Sequence, residues 1–215
     1  MKRRHSNLSR NLWALVWVLV IALQLWDHFR GKTTAPRPET DGRFVTLANA
    51  RFVEDANNDG DSFMILHDGG EQVLRLYFVD CPEKRQYKLV EGRLKDQAGY
   101  FGGLSIPQTL SVGQEAKVFT ETRLREQRFT VQTRWERVYD SERVYAMVLF
   151  EDGEDLAAKL VKAGLCRIHT KGTMMPDGQR EFDFEARLRA LEKEAQAAQR
   201  GAWGKPKRGP AKPKT

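Results

Sequence analysis

Acidic residues and arginines fall along this chain in a pattern suited to phosphate chemistry. Asp59-Gly60-Asp61 precedes one apolar run, Arg75 lies in the next, Asp80-Cys81-Pro82-Glu83 closes that run, and Arg143 opens a later one. Two carboxylates from adjacent strands make an all-oxygen site of the kind a hard cation such as calcium prefers, and a third can orient or deprotonate water. Two guanidiniums suit a phosphodiester, because each donates paired hydrogen bonds and offsets the charge that builds at phosphorus. By itself the spacing also fits ordinary Asp-Gly turns and strand arginines.

Other chemistries lack their residues. Cys81 and Cys166 are isolated and form no zinc cluster, although one bridge between them is open in an oxidising compartment. His5, His28, His67 and His169 lack the spacing of a metalloprotease helix, no serine sits in a nucleophile elbow, and Gly99 to Gly103 lacks the lysine of a phosphate loop.

The elements that must carry these residues follow from periodicity. Residues 44–52, 62–67 and 72–79 have strand character, with Asp68-Gly69-Gly70 as a hairpin turn between the last two. Residues 84–113 read as a long loop, and 114–125 as a helix with Ala116, Phe119 and Leu124 inward. Strands resume at 129–137 and 143–150. Asp155 caps a helix that Gly164 ends, and 181–200 form a charged helix with Phe184, Leu188 and Leu191 on one side. Short strands with later helices predict a mainly β fold with α, a small barrel with helices packed on it.

Over about residues 50 to 204 the chain resembles the staphylococcal nuclease (thermonuclease-like) family. The resemblance rests on an ordered set: Asp59-Gly60-Asp61-Ser62, then Arg75 through Glu83, Glu142-Arg143-Val144-Tyr145-Ala146, Ala163-Gly164-Leu165-Cys166 and Gly201-Ala202-Trp203. It implies a five-stranded OB-fold-like barrel with three helices and calcium-dependent cleavage of DNA or RNA with little sequence preference, leaving 3′-phosphate ends. Position by position, it implies Asp61, Asp80 and the backbone carbonyl of Cys81 as calcium ligands and Asp59 as a carboxylate behind them. Glu83 becomes the base or water-orienting group, and Arg75 and Arg143 the phosphate holders. The family's two base-bracketing tyrosines are missing, since Ser141-Glu142 and Thr170 fall at those places. Tyr139, Tyr145 or His169 are the candidates to replace them. Glu142 either pairs with Arg143 or points outward; alternation along a strand favours outward. An inactive binding module for nucleic acid or protein is the alternative function.

Charge and hydropathy place the domain. The 215 residues carry +7 overall, yet residues 44–200 hold 23 basic against 26 acidic residues, about −3. That balance excludes a domain gripping nucleic acid over a whole basic face. The excess lies in a basic n-region at 1–10, a linker at 30–43 and a basic tail at 205–215. Residues 11–29 read as a signal anchor crossing the membrane, which would put a nuclease domain at 44–204 outside the cytoplasm; export after cleavage is the alternative.

Overall fold

The computed structural model describes residues 42–207. The expected n-region, the membrane-spanning anchor, nearly all of the linker and the tail beyond 207 lie outside the described residues. Among the described residues no helix is long and apolar enough to cross a membrane.

Strands β1 (Val45–Leu47), β2 (Arg51–Val53), β3 (Ser62–His67), β4 (Gly70–Leu76), β6 (Phe129–Arg137) and β7 (Val144–Phe150) form one mixed sheet in the order β1-β6-β7-β4-β3-β2. The short strands β5 (Val79–Asp80) and β8 (Arg167–Ile168) pair separately. The segment expected as one strand at 44–52 is broken at Asn49, which takes a left-handed φ of 55°. Its halves pair with opposite ends of the sheet, β1 with β6 and β2 with β3. One nearly continuous stretch thereby holds both edges, which curls the sheet into an OB-like barrel and leaves no long bare edge.

β4 and β7 run parallel at the centre, with Arg75 opposite Tyr145. β7 is buried along most of its length, as expected of a strand covered on both faces. Phe63, Ile65, Leu74, Leu76, Val131, Ala146 and Val148 fill the barrel. Between β4 and β5 the buried Phe78 adopts a φ of 68°, a conformation that costs a non-glycine residue about 1–2 kcal/mol. Its ring packs 4.9 Å from that of Phe184, and its backbone exchanges hydrogen bonds with Lys171 and His169. This corner sends the chain from β4 into the segment bearing Asp80.

Four helices pack on the barrel: α1 (Glu91–Tyr100), α2 (Ile106–Glu126), α3 (Leu156–Lys162) and α4 (Glu181–Ala197). The loop expected over 84–113 is therefore corrected, because α1 and the first turns of α2 occupy it. Pro107 starts α2 instead of breaking it. It sits in the first turn, where an amide is not needed, behind a capping box between Ser105 and Gln108. Asp155 caps α3 by accepting from the Ala157 amide at 2.7 Å, as its position predicts. At the end of the domain Lys205 pairs with Glu115 at 2.7 Å, and Lys207 donates to the carbonyls of Phe101 and Ala202.

Candidate active site

The site begins at the Gly60 turn. A Cβ at Gly60 would lie 2.6 Å from that of Ala116 and 2.9 Å from the Cys81 sulfur, so only glycine lets α2 approach this closely. Thr120 of α2 donates to the Gly60 carbonyl at 2.6 Å, and the Leu76 amide donates to the Asp61 carbonyl at 2.9 Å. Asp61 is thus fixed against the end of β4. Its Oδ1 accepts from Arg75 Nη1 at 2.6 Å, and its Oδ2 accepts from the Cys81 amide.

Arg75 donates from its other arm to Asp80 Oδ1 at 2.8 Å. One guanidinium therefore spans the two carboxylates that the sequence singles out. Burial pushes the Asp61 carboxyl up to about 6, with Arg75 pulling the other way. Burial also disfavours charge on Asp80, but the guanidiniums of Arg93 and Arg75 outweigh it and hold that carboxyl well below the usual range.

Three partners of Asp80 escape the sequence reading. Arg93 and Gln97, one turn apart on α1, both reach it: Arg93 Nη2 donates to Oδ1 and Gln97 Nε2 donates to Oδ2 at 2.9 Å. Arg167 on β8 donates its Nε to Oδ2 at 2.8 Å. Gln97 also donates to the Cys81 carbonyl at 3.1 Å, while its own oxygen accepts from the Glu83 amide. Arg93 Nη1 lies 2.9 Å from Glu83 Oε1. Burial pushes the Glu83 carboxyl up, against the pull of Arg93. Asp59 stands outside this network, paired with Lys84 at 3.2 Å.

Two signals in the sequence would have found the missed residues. Arg93 and Gln97 share the i, i+4 spacing of one helix face, alongside the buried pair Leu94 and Ala98. Arg167 follows Cys166, and Cys81 and Cys166 are joined by a disulfide that sets Arg167 against Asp80.

The expected calcium ligands are brought together, yet not as a metal centre. Both oxygens of Asp61, both of Asp80 and the Cys81 carbonyl already accept hydrogen bonds from the chain. Asp61, Asp80 and Glu83 face the three guanidiniums of Arg75, Arg93 and Arg167, so the cluster is neutral as it stands. Among the described residues no group of three or more acidic, His or Cys side chains is arranged to hold a metal. This set does not fit calcium. The physical reason is α1, which the loop reading did not foresee and which delivers Arg93 and Gln97 onto the carboxylates.

Beside the cluster opens a cleft of about 730 Å³. Arg75, Arg93, Arg137, Arg143, Arg167 and Lys171 line it, against the carboxylates of Asp80, Asp96 and Glu136. Arg143 reaches the cleft from the start of β7, its Nε donating to Ser141 Oγ at 3.4 Å. Glu142 pairs with Arg137 at 2.9 Å on the exposed side, as the alternation implies. His169 and Tyr139 also line the cleft, Tyr139 being 87% exposed at its mouth. Tyr145 is corrected as a base-stacking residue: it is buried, with its ring stacked 4.9 Å from that of Tyr77.

A barrel of this order, carrying acidic and arginine residues at the β4 to β5 corner and an arginine just before β7, defines an OB-like domain with a charged corner. The model of the family described as staphylococcal nuclease homologue matches residues 73–205, well over half of the chain, and the chain belongs to that family. No curated protein matches it.

Proposed function

We propose that the domain hydrolyses phosphodiester bonds of DNA or RNA with little sequence preference. The observation that carries this reading is the charge of the cleft. Six cations against three carboxylates line it; Arg75, Arg93 and Arg167 are balanced by Asp61, Asp80 and Glu83, whereas Arg143, held by the Ser141 hydroxyl, keeps its charge for a ligand. Positive charge focused in a groove attracts a polyanion backbone without reading its bases.

Arg75 on β4 and Arg143, which immediately precedes the parallel neighbour β7, both line the cleft and are the pair suited to hold the phosphate. Glu83, whose affinity for protons burial raises, is suited to take one from water. The water oxygen bonds to phosphorus, the P–O5′ bond breaks, the water proton passes to Glu83, and the departing 5′ oxygen takes a proton from solvent. The calcium implied by the family has no part in these steps, because its oxygen ligands are engaged. Tyr139 and His169, both exposed at the cleft, are suited to stack on bases. Action outside the cytoplasm, from a membrane anchor or after export, belongs to the same reading and is supported by the Cys81–Cys166 bridge.

Incubation of the purified protein with end-labelled single-stranded DNA and RNA tests it. Fragments that wild type yields and Arg143→Ala does not are expected. Retention of intact strands without cleavage under any ionic condition would instead support the binding-module reading.

A further inference from the structure

Arg93 has no part in the chemistry proposed above, and unlike the buried Arg167 and Gln97 it is open to solvent. It reaches in from α1 with its side chain 41% exposed, lines the cleft, and joins Asp80 through one arm and Glu83 through the other. A divalent cation held by Asp80 beside Glu83 would have to displace this guanidinium. It would then sit beside Arg75 and Arg167, both buried and both bonded to Asp80 or its neighbour Asp61. With Arg93 displaced the cluster carries a single negative charge, so a divalent ion would leave it net positive, close to two buried guanidiniums whose repulsion is little screened. The fork of a guanidinium, unlike a spherical ion, can donate to two carboxylates and still turn its remaining N–H groups to a phosphate.

We infer that Arg93 takes the place of the divalent cation, so that phosphodiester cleavage by this chain is metal-independent. The inference rests on the hydrolytic reading above. In this arrangement Arg93 offsets the charge on the phosphate oxygens as water attacks. Its arm on Glu83 keeps the proton acceptor next to the phosphate it serves. Gln97 has a positioning role: by donating to both Asp80 and the Cys81 carbonyl and accepting from the Glu83 amide, it ties the 80–83 segment to the helix that carries Arg93.

The experiment uses full-length protein freed of metal with chelator, a single-stranded DNA substrate, and Arg143→Ala as the check that cleavage belongs to the chain. Wild type is expected to cleave in EDTA at the rate it shows in millimolar calcium, and its melting temperature is expected not to respond to calcium. Arg93→Ala is expected to lose about 10²-fold or more of the EDTA-resistant rate, as when one donor to a developing anion is removed. With its carboxylates uncovered, the same variant is expected to melt higher in calcium than without it. Arg93→Lys, which keeps the charge and loses the fork, separates the guanidinium's geometry from a general loss of folding, and it is expected to fall between the two.

Cleavage that chelator abolishes and calcium restores overturns the inference while leaving the nuclease reading standing. EDTA-resistant cleavage that Arg93→Ala retains in full overturns it as well. Absence of cleavage in both media overturns the nuclease reading and the inference together.

Discussion

Arg167 Nε lies 2.8 Å from Asp80 Oδ2, and the same two residues are register partners across β5 and β8. Both are buried, so their attraction is little screened, and each is costly to leave without the other. Arg75 and Arg93 remain on Asp80 when Arg167 is removed, which softens the loss. Arg167→Met should therefore destabilise by about 1–3 kcal/mol, less than Asp80→Asn, which removes one ion pair from each of Arg75 and Arg93 and leaves buried Arg167 without its carboxylate, at about 3–5 kcal/mol. Urea unfolding of both variants and the double variant checks this. Strictly additive losses would mean that the pair is not coupled.

The Arg143 side chain bonds to Ser141 Oγ, its carbonyl accepts from the Val138 amide, and the residue is half-buried at the edge of the cleft. Arg143→Ala should leave stability within about 0.5 kcal/mol of wild type, as for substitutions away from core and networks. Cleavage should fall by about 10²-fold or more, since a donor to the phosphate is lost. A rate assay beside a thermal melt reads both, and a fall in both together would assign the residue a structural role.

Gly113 is where α2 meets the segment bearing Glu83. A Cβ there would lie 2.4 Å from the Glu83 carbonyl oxygen and 2.5 Å from that of Pro82, both rigid backbone atoms. Gly113→Ala should push the 82–83 segment away from Arg93, costing about 1–3 kcal/mol as overpacking does and lowering the cleavage rate in step. Gly92 on α1, where a Cβ meets nothing within 4 Å, is the matched control, and Gly92→Ala should be neutral or stabilising by about 0.5–1 kcal/mol.

Asp155 caps α3 from a fully buried position, and burial pushes its carboxyl from 3.8 up to about 6. Since the folded value lies above the unfolded one, the fold favours the protonated form. The group's contribution is fully present below pH 3.8 and is lost as pH rises through 6, an effect of about 3 kcal/mol at most. Asp155→Asn keeps an oxygen for the Ala157 amide and removes the titration. The stability of wild type relative to this variant should therefore rise as pH falls from 7 to 4. A constant difference over that range would show that Asp155 does not titrate there.

How much of this the sequence discloses depends on how local each signal is. β3, β6 and β7 lie close to their expected bounds because alternation is a property of neighbours, whereas the strand expected at 72–79 starts at Gly70 and ends at Leu76, where the Phe78 corner breaks it. Arg75, Asp61, Asp80 and Glu83 are brought together where their spacing implies. The two glycines of α1 and the aromatic and glycine run that follows it conceal the helix, whose formation depends on burying Leu94 and Ala98 where α1 packs on α2. With α1 unseen, Arg93 and Gln97 had no face to share. The cations beyond Arg75 that cover the carboxylates, Arg93 and Arg167, have no sequence signal beside Asp61 and Asp80. Arg167 was missed for a different reason, since its partner stands 87 residues away and only the strand pairing links them. Tyr145 illustrates the limit on facing: alternation along β7 does not reveal that Tyr77 covers its ring.

The bridge between Cys81 and Cys166 spans 85 residues of chain, and the parallel pairing of β4 with β7 spans nearly as far. Asp61, Arg75, Asp80 and Glu83 leave the ribosome first, and Arg143, Cys166 and Arg167 follow only after roughly 4–17 seconds at ordinary rates of synthesis. During that interval the nascent chain holds an incomplete centre, with Asp80 lacking Arg167 and one thiol without its mate. The full set of pairings is thus completed only late in synthesis, and a stop anywhere before Cys166 yields a product that lacks both the bridge and the guanidinium of Arg167.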